Sequence, residues 1–150
     1  MDFTPPNLDY AEAVRASFAN QAMMASLGAT LETVTPGKVT LALPFNADFG
    51  QQHGYLHAGA IASVLDSACG YAAFSLIPEG AEILTIEFKT NLLAPASAKR
   101  FDVSGQVIKP GRRIMVAEAK AESDDRRLIA TMTATLIVMP ARQGASDAAH

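Results

Sequence analysis

His57 to Ile77 reads HAGAIASVLDSACGYAAFSLI, and from Ala58 onward it carries a single formal charge, Asp66. The run is about as long as a bilayer helix requires. It is built mainly of Ala, Gly and Ser, however, and a central carboxylate is expensive in lipid. It therefore predicts a helix buried inside soluble protein, with no membrane span. At about 100° per residue, Ile61, Leu65, Ala68, Ala72 and Leu76 form a bulky stripe suited to the concave side of a sheet. Gly59, Ala62, Asp66, Gly70 and Ala73 form a second stripe, in which every neighbour of the carboxylate is small. A helix or a ligand must approach closely there. Mid-helix Asp has poor propensity and a high burial cost unless partnered, which makes Asp66 a functional candidate.

Outward from that helix, the flanks read as strands and turns. Asn46 to His57 (NADFGQQHGYLH) is polar and aperiodic, a loop, and Pro78-Glu79-Gly80 closes the helix. Upstream, Thr30–Val34 and Lys38–Pro44 flank Thr35-Pro36-Gly37 and predict a hairpin. Before Gly28, the spacing of Val14, Phe18, Gln21 and Met24 predicts one helix from Asp9, its N-cap, to about Met24. Downstream the period falls to two. Leu84, Ile86 and Phe88 alternate with polar residues, as do Phe101, Val103, Gly105 and Val107. Strands at Ile114–Glu122 and Leu128–Met139 follow turns at Lys109-Pro110-Gly111-Arg112 and Asp124-Asp125-Arg126-Arg127. The expected architecture is α+β: an antiparallel sheet of about six strands, the last four in a meander, wrapped around one long central helix. The expected divisions are a helical segment 1–27, a main domain 28–140 and a loose tail 141–150.

The start of the central helix offers a chemical complement to Asp66. At His57-Ala58-Gly59, unsatisfied backbone N–H groups and the positive end of the helix dipole point outward. A carbonyl oxygen can sit against such amides, which is what an oxyanion needs. Ala58 and Asp66 are eight positions apart, ~12 Å along one helix axis, too far to act on one atom. Two chains with these helices antiparallel would bring them together, giving a homodimer, or a tetramer of two dimers, with shared sites.

Composition narrows the remaining classes. The chain has 150 residues, 49% hydrophobic and 18% charged, enough for one core and incompatible with intrinsic disorder. A net charge of −3 argues against nucleic acid as a partner. One cysteine excludes an internal disulfide, and no Cys/His quartet exists for structural zinc. His53 and His57 lie four apart without a third ligand nearby, so no metal is expected. Cys69 reads as inert packing, and no Gly-x-Ser-x-Gly elbow is present. The amino terminus lacks a secretory pattern, which makes the cytoplasm the expected compartment.

Gln51-Gln52-His53-Gly54-Tyr55-Leu56-His57-Ala58-Gly59, with Asp66 nine positions after His57, resembles the hotdog-fold acyl-CoA thioesterases, nearest the phenylacetate-pathway type. There, Asn or Gln and a Gly precede His-Gly-Gly at the helix start, and an acidic residue follows nine after the His. The resemblance covers about Gly28 to Met139. It implies hydrolysis of a small-to-medium or aromatic acyl-CoA thioester, with no cofactor beyond the coenzyme A of the substrate. Asp66 would be the nucleophile or the general base, and the Ala58 N–H would bind the thioester oxygen with help from Gln51. His57 and Gly59 would shape the helix start, and Thr85 would position water. Gly54, Ala62 and Gly70 would adjoin the substrate. Arg112 and Arg113 would meet the coenzyme A phosphates, since Arg binds phosphate in a bidentate fashion. Two positions depart from the pattern: Ala58 replaces the first Gly, and Gln51 stands where the nearest branch mostly has Asn. The alternatives are a non-catalytic acyl-CoA binding or sensing protein on the same fold, and a structural dimer whose small-residue face is only an interface.

Overall fold

The computed structural model describes residues 2–141. In chain order its elements are α1 (Tyr10–Ala19), α2 (Ala22–Leu27), β1 (Thr30–Thr35), β2 (Lys38–Pro44), a 3-10 turn (Ala47–Phe49), α3 (Ala58–Phe74), β3 (Glu82–Leu92), β4 (Arg100–Lys109), β5 (Ile114–Ser123) and β6 (Leu128–Met139). The six strands form one antiparallel sheet in the order β1-β2-β4-β5-β6-β3. The long helix α3 packs against it. No helix among the described residues is long and apolar enough to cross a membrane.

The bulky stripe on α3 is the core of the molecule. Ile61, Leu65, Ala68 and Ala72 are buried, together with Val64 and Cys69, against Leu41, Phe101, Met132 and Leu136 of the strands. The helix comes closest to the sheet at β4. A Cβ placed on Gly105 would overlap the backbone carbonyl of Ala68 and lie 3.0 Å from the Ala68 Cβ. Backbone meets backbone there, with no flexible side chain to give way. Gly105→Ala should therefore cost about 1–3 kcal/mol or more, as overpacking does, read as a lowered midpoint in urea unfolding at unchanged slope. At the other end of α3, the buried Ser75 hydroxyl accepts from the Gly37 N–H and donates to the Ala72 carbonyl, both at 2.7 Å. This ties the β1–β2 turn to the helix end.

Five expectations are corrected. The single helix from Asp9 to Met24 is two helices, broken at Asn20 and Gln21, where Gln21 is extended (φ −85°, ψ 98°). The break turns Met24 and Leu27 into the core. Asp9 flanks α1 without a side-chain cap, and the Asn7 carboxamide accepts from its N–H instead. Ala73 is fully buried, so it belongs to the core and not to the open small-residue stripe. The central helix ends at Phe74, before Ile77.

The last correction concerns topology. β3 does not neighbour β4 in a meander. It pairs with β6 at the sheet edge, from Glu82↔Met139 to Leu92↔Ala130, while β4 pairs with β2. The connection 93–99 is too long and too anchored for a hairpin. The Leu56 N–H bonds to the Ala96 carbonyl and the Phe45 N–H to the Lys99 carbonyl, so the chain crosses the α3 start and returns beside β2. A bulge between Thr85 and Glu87 breaks the β3 alternation. Leu84, Ile86, Phe88 and Leu92 are left 48–58% exposed along this edge. Residues 142–150, most of the expected tail, lie outside the described residues.

Candidate active site

At the start of α3, local geometry leaves one amide free. His57 is the N-cap, extended at φ −60° and ψ 140°, and its Nδ1 accepts from the Gly59 N–H at 2.8 Å. The Ala60 N–H bonds to the His57 carbonyl at 2.9 Å, and the His57 N–H to the Phe49 carbonyl at 2.9 Å. The Gly59 amide is thereby spent within the cap, while that of Ala58 meets no acceptor among the described residues. Ala58 lines a cavity of about 530 Å³ with Gln51, Tyr55, Leu56, Ile61, Leu92 and Leu93. The Gln51 carboxamide oxygen accepts from the His53 N–H, which leaves its NH₂ as a donor. Gly54, at φ +84°, makes the loop turn that this contact needs. The His53 ring faces Gln52, and no metal-holding cluster occurs among the described residues.

Asp66 lies half-buried in a second cavity, of about 500 Å³, walled by α1, α3 and the first residues of β3. Its Oδ1 accepts from the Thr85 hydroxyl at 2.8 Å. No salt bridge engages it among the described residues. A carboxylate so placed is held by one neutral donor and keeps its remaining lone pairs for a water or a carbonyl carbon. Gly70 stands one helical turn further and also lines this cavity; half-buried Ala62 stands one turn before. Cys69, three residues on from Asp66, is turned into the core and fully buried. Its thiol is pushed up to about 12, chiefly by burial and further by the charges of Asp66 and Glu118, so it stays protonated and takes no part.

Along the one helix the free amide and the carboxylate stand ~12 Å apart, and they open into different cavities. One chain does not bring them together. β3 joins the two, its beginning (Glu82–Thr85) lining the Asp66 cavity and its end (Leu92) the Ala58 cavity. Arg112 and Arg113 are exposed at the β4–β5 turn. The Arg113 carbonyl accepts from Val138, which pairs with Ile83 of the Asp66 cavity. Two strand spacings, ~10 Å, thus separate the basic turn from that wall.

A model of the Thioesterase superfamily matches residues 53–130, half of the chain, including the α3 start, Asp66 and Thr85. The chain belongs to this superfamily. A crystal structure of a thioesterase family protein from Silicibacter pomeroyi is 54% identical, with a TM-score of 0.84 over 87% of this chain and 98% of that one. The six-stranded antiparallel sheet with its long helix is thus the hotdog fold. A Saccharolobus solfataricus protein provisionally named as an esterase is 29% identical over 92 residues, 61% of this chain and 65% of its own length. A medium/long-chain acyl-CoA thioesterase of Salmonella typhimurium is 28% identical over 96 residues, 55% of this chain and 62% of its own. The chain spans a little under two thirds of these two relatives.

Residues of the Asp66 cavity that escaped the sequence reading include Ser17, Gln21 and Ser67. A signal existed for one. Gln21 is the polar member of the otherwise apolar Val14–Phe18–Gln21–Met24 series.

Proposed function

We propose that the protein is an acyl-CoA thioesterase that works as a twofold dimer. A thioester carbonyl would lie against the Ala58 N–H and the Gln51 carboxamide of one chain, and Asp66 of the other would deliver the attack, directly or through water held with Thr85. The observation that carries this reading is the arrangement along β3. Antiparallel pairing of two β3 edges reverses one strand against the other, setting the Leu92 end of each copy beside the Glu82 end of its mate. The Ala58 cavity of one copy then adjoins the Asp66 cavity of the other. The unpaired edge, with its exposed Leu84, Ile86, Phe88 and Leu92, supplies the apolar surface such a contact would cover.

The chemistry follows from the parts. Developing charge on the thioester oxygen meets a fixed donor at a helix N-terminus. Coenzyme A thiolate is a good leaving group, so no strong general acid is required of His57, whose Nδ1 is occupied by the Gly59 amide. The exposed Arg112 and Arg113 would steer the phosphates of coenzyme A, on a chain that is otherwise acidic. Such a substrate places the work in the cytoplasm. A panel of short, medium, long and aromatic acyl-CoAs, followed by thiol release, tests the activity. We expect turnover of small-to-medium or aromatic members. No turnover together with tight binding would favour a sensing protein, and neither turnover nor binding a purely structural dimer.

A further inference from the structure

Helix α1 and Gln21, the residue before α2, lie outside the stretch matched by the superfamily model, yet they form one wall of the cavity that holds Asp66. Two polar side chains come from that wall. The Gln21 Oε1 accepts from the Ser67 hydroxyl at 2.9 Å, and no acceptor meets its Nε2 among the described residues. The Ser17 and Tyr71 hydroxyls share a long hydrogen bond of 3.3 Å. Facing them are the apolar Ile83 and Leu84, with Phe74 further along α3. Gly70 lies between, and a Cβ added there would meet nothing within 4 Å. Glycine is less stable than alanine inside a helix, and no packing among the described residues demands it here. The cavity is therefore open at a cost, with unpaired amide donors on one side.

We infer that Gln21 and Ser17 determine which acyl group enters this cavity, favouring one that carries a hydrogen-bonding oxygen some distance from the thioester. The inference rests on the thioesterase reading and adds the substrate class. Ser67, which Gln21 holds, follows Asp66 directly, and Tyr71, which Ser17 holds, lies five residues on. The polar wall thus extends over ~7.5 Å of helix axis beyond the carboxylate. An acyl oxygen roughly six bonds from the reacting carbon spans that length. Gln21 would donate to it through Nε2, with the Ser17 hydroxyl free to accept in return.

The test compares hexanoyl-CoA with 6-hydroxyhexanoyl-CoA, a pair differing only in the terminal oxygen, by kcat/KM for thiol release. The wild type should prefer the hydroxylated substrate by about tenfold, the worth of one well-made hydrogen bond. Gln21→Leu should bring the ratio to about one. Gln21→Glu keeps an acceptor for Ser67 but removes both donors, and should do the same, which separates the effect from a packing defect. Equal rates on the two substrates in the wild type, or a preference that survives both variants, would overturn the inference while leaving the thioesterase reading intact. Hydrolysis of neither, with no other acyl-CoA turned over, would sink that reading and this one together.

Discussion

Asp66→Asn should leave the fold intact with kcat reduced about 10²–10⁴-fold, the usual worth of a positioned acid–base or nucleophilic group. Asn has the shape of Asp and can still accept from the Thr85 hydroxyl, so the 2.8 Å contact and the cavity are kept. Only the charge and basicity are lost. KM should change little if the carboxylate acts on the reacting carbon, as proposed, and does not hold the acyl group. The midpoint of thermal unfolding should stay level or rise, since no cation balances this half-buried charge among the described residues. Full hydrolysis by the variant would remove Asp66 from the chemistry and leave the reading without its attacking group.

Ala58→Pro tests the other half by replacing the amide hydrogen with a ring carbon, which removes the donor. Ala58 is the first residue of α3, where proline is well tolerated, and the preceding His57 already has the extended backbone that proline imposes on its neighbour. The fold should therefore survive with an unchanged melting midpoint, while loss of the free N–H lowers kcat by about 10²–10³-fold. The two variants also test whether sites are shared. In a mixture of Ala58→Pro and Asp66→Asn chains, half the dimers would be mixed, each with one intact site, so activity should return to about a quarter of the wild-type level. If randomised mixed dimers form and no activity returns, the amide and the carboxylate are not shared between chains.

The legible parts of the sequence were those governed by local pattern. The α3 stripe, the Pro36-Gly37 turn and the β6 boundaries follow from periodicity and turn chemistry, and all are found as read. The place of β3 was not legible. Its alternation says strand, but nothing local says whether β4 or β6 lies beside it, and the crossing at 93–99 is fixed by contacts with Leu56 and Phe45 distant in sequence. For the candidate site, the two residues singled out by their spacing, His57 and Asp66, each line a cavity. The resemblance had already pointed to the Ala58 N–H; that the cap consumes the Gly59 amide and leaves the Ala58 amide without an acceptor among the described residues needed the His57 ring orientation. The α1 wall was hidden because Ser17 and Gln21 acquire meaning only where the chain folds back over α3.

The edge position of β3 also sets a schedule for synthesis. Its only neighbour in the sheet among the described residues, β6, begins at Leu128. At about 5–20 residues per second, residues 93–127 take roughly 2–7 s to emerge. For that interval a nascent chain carries Leu84, Ile86, Phe88 and Leu92 on a strand without its partner, while β1 and β2 are already out and β4 and β5 join them as they emerge. Chaperone demand should concentrate in those seconds, and codon choices that slow the ribosome through this stretch should lower the yield of folded protein.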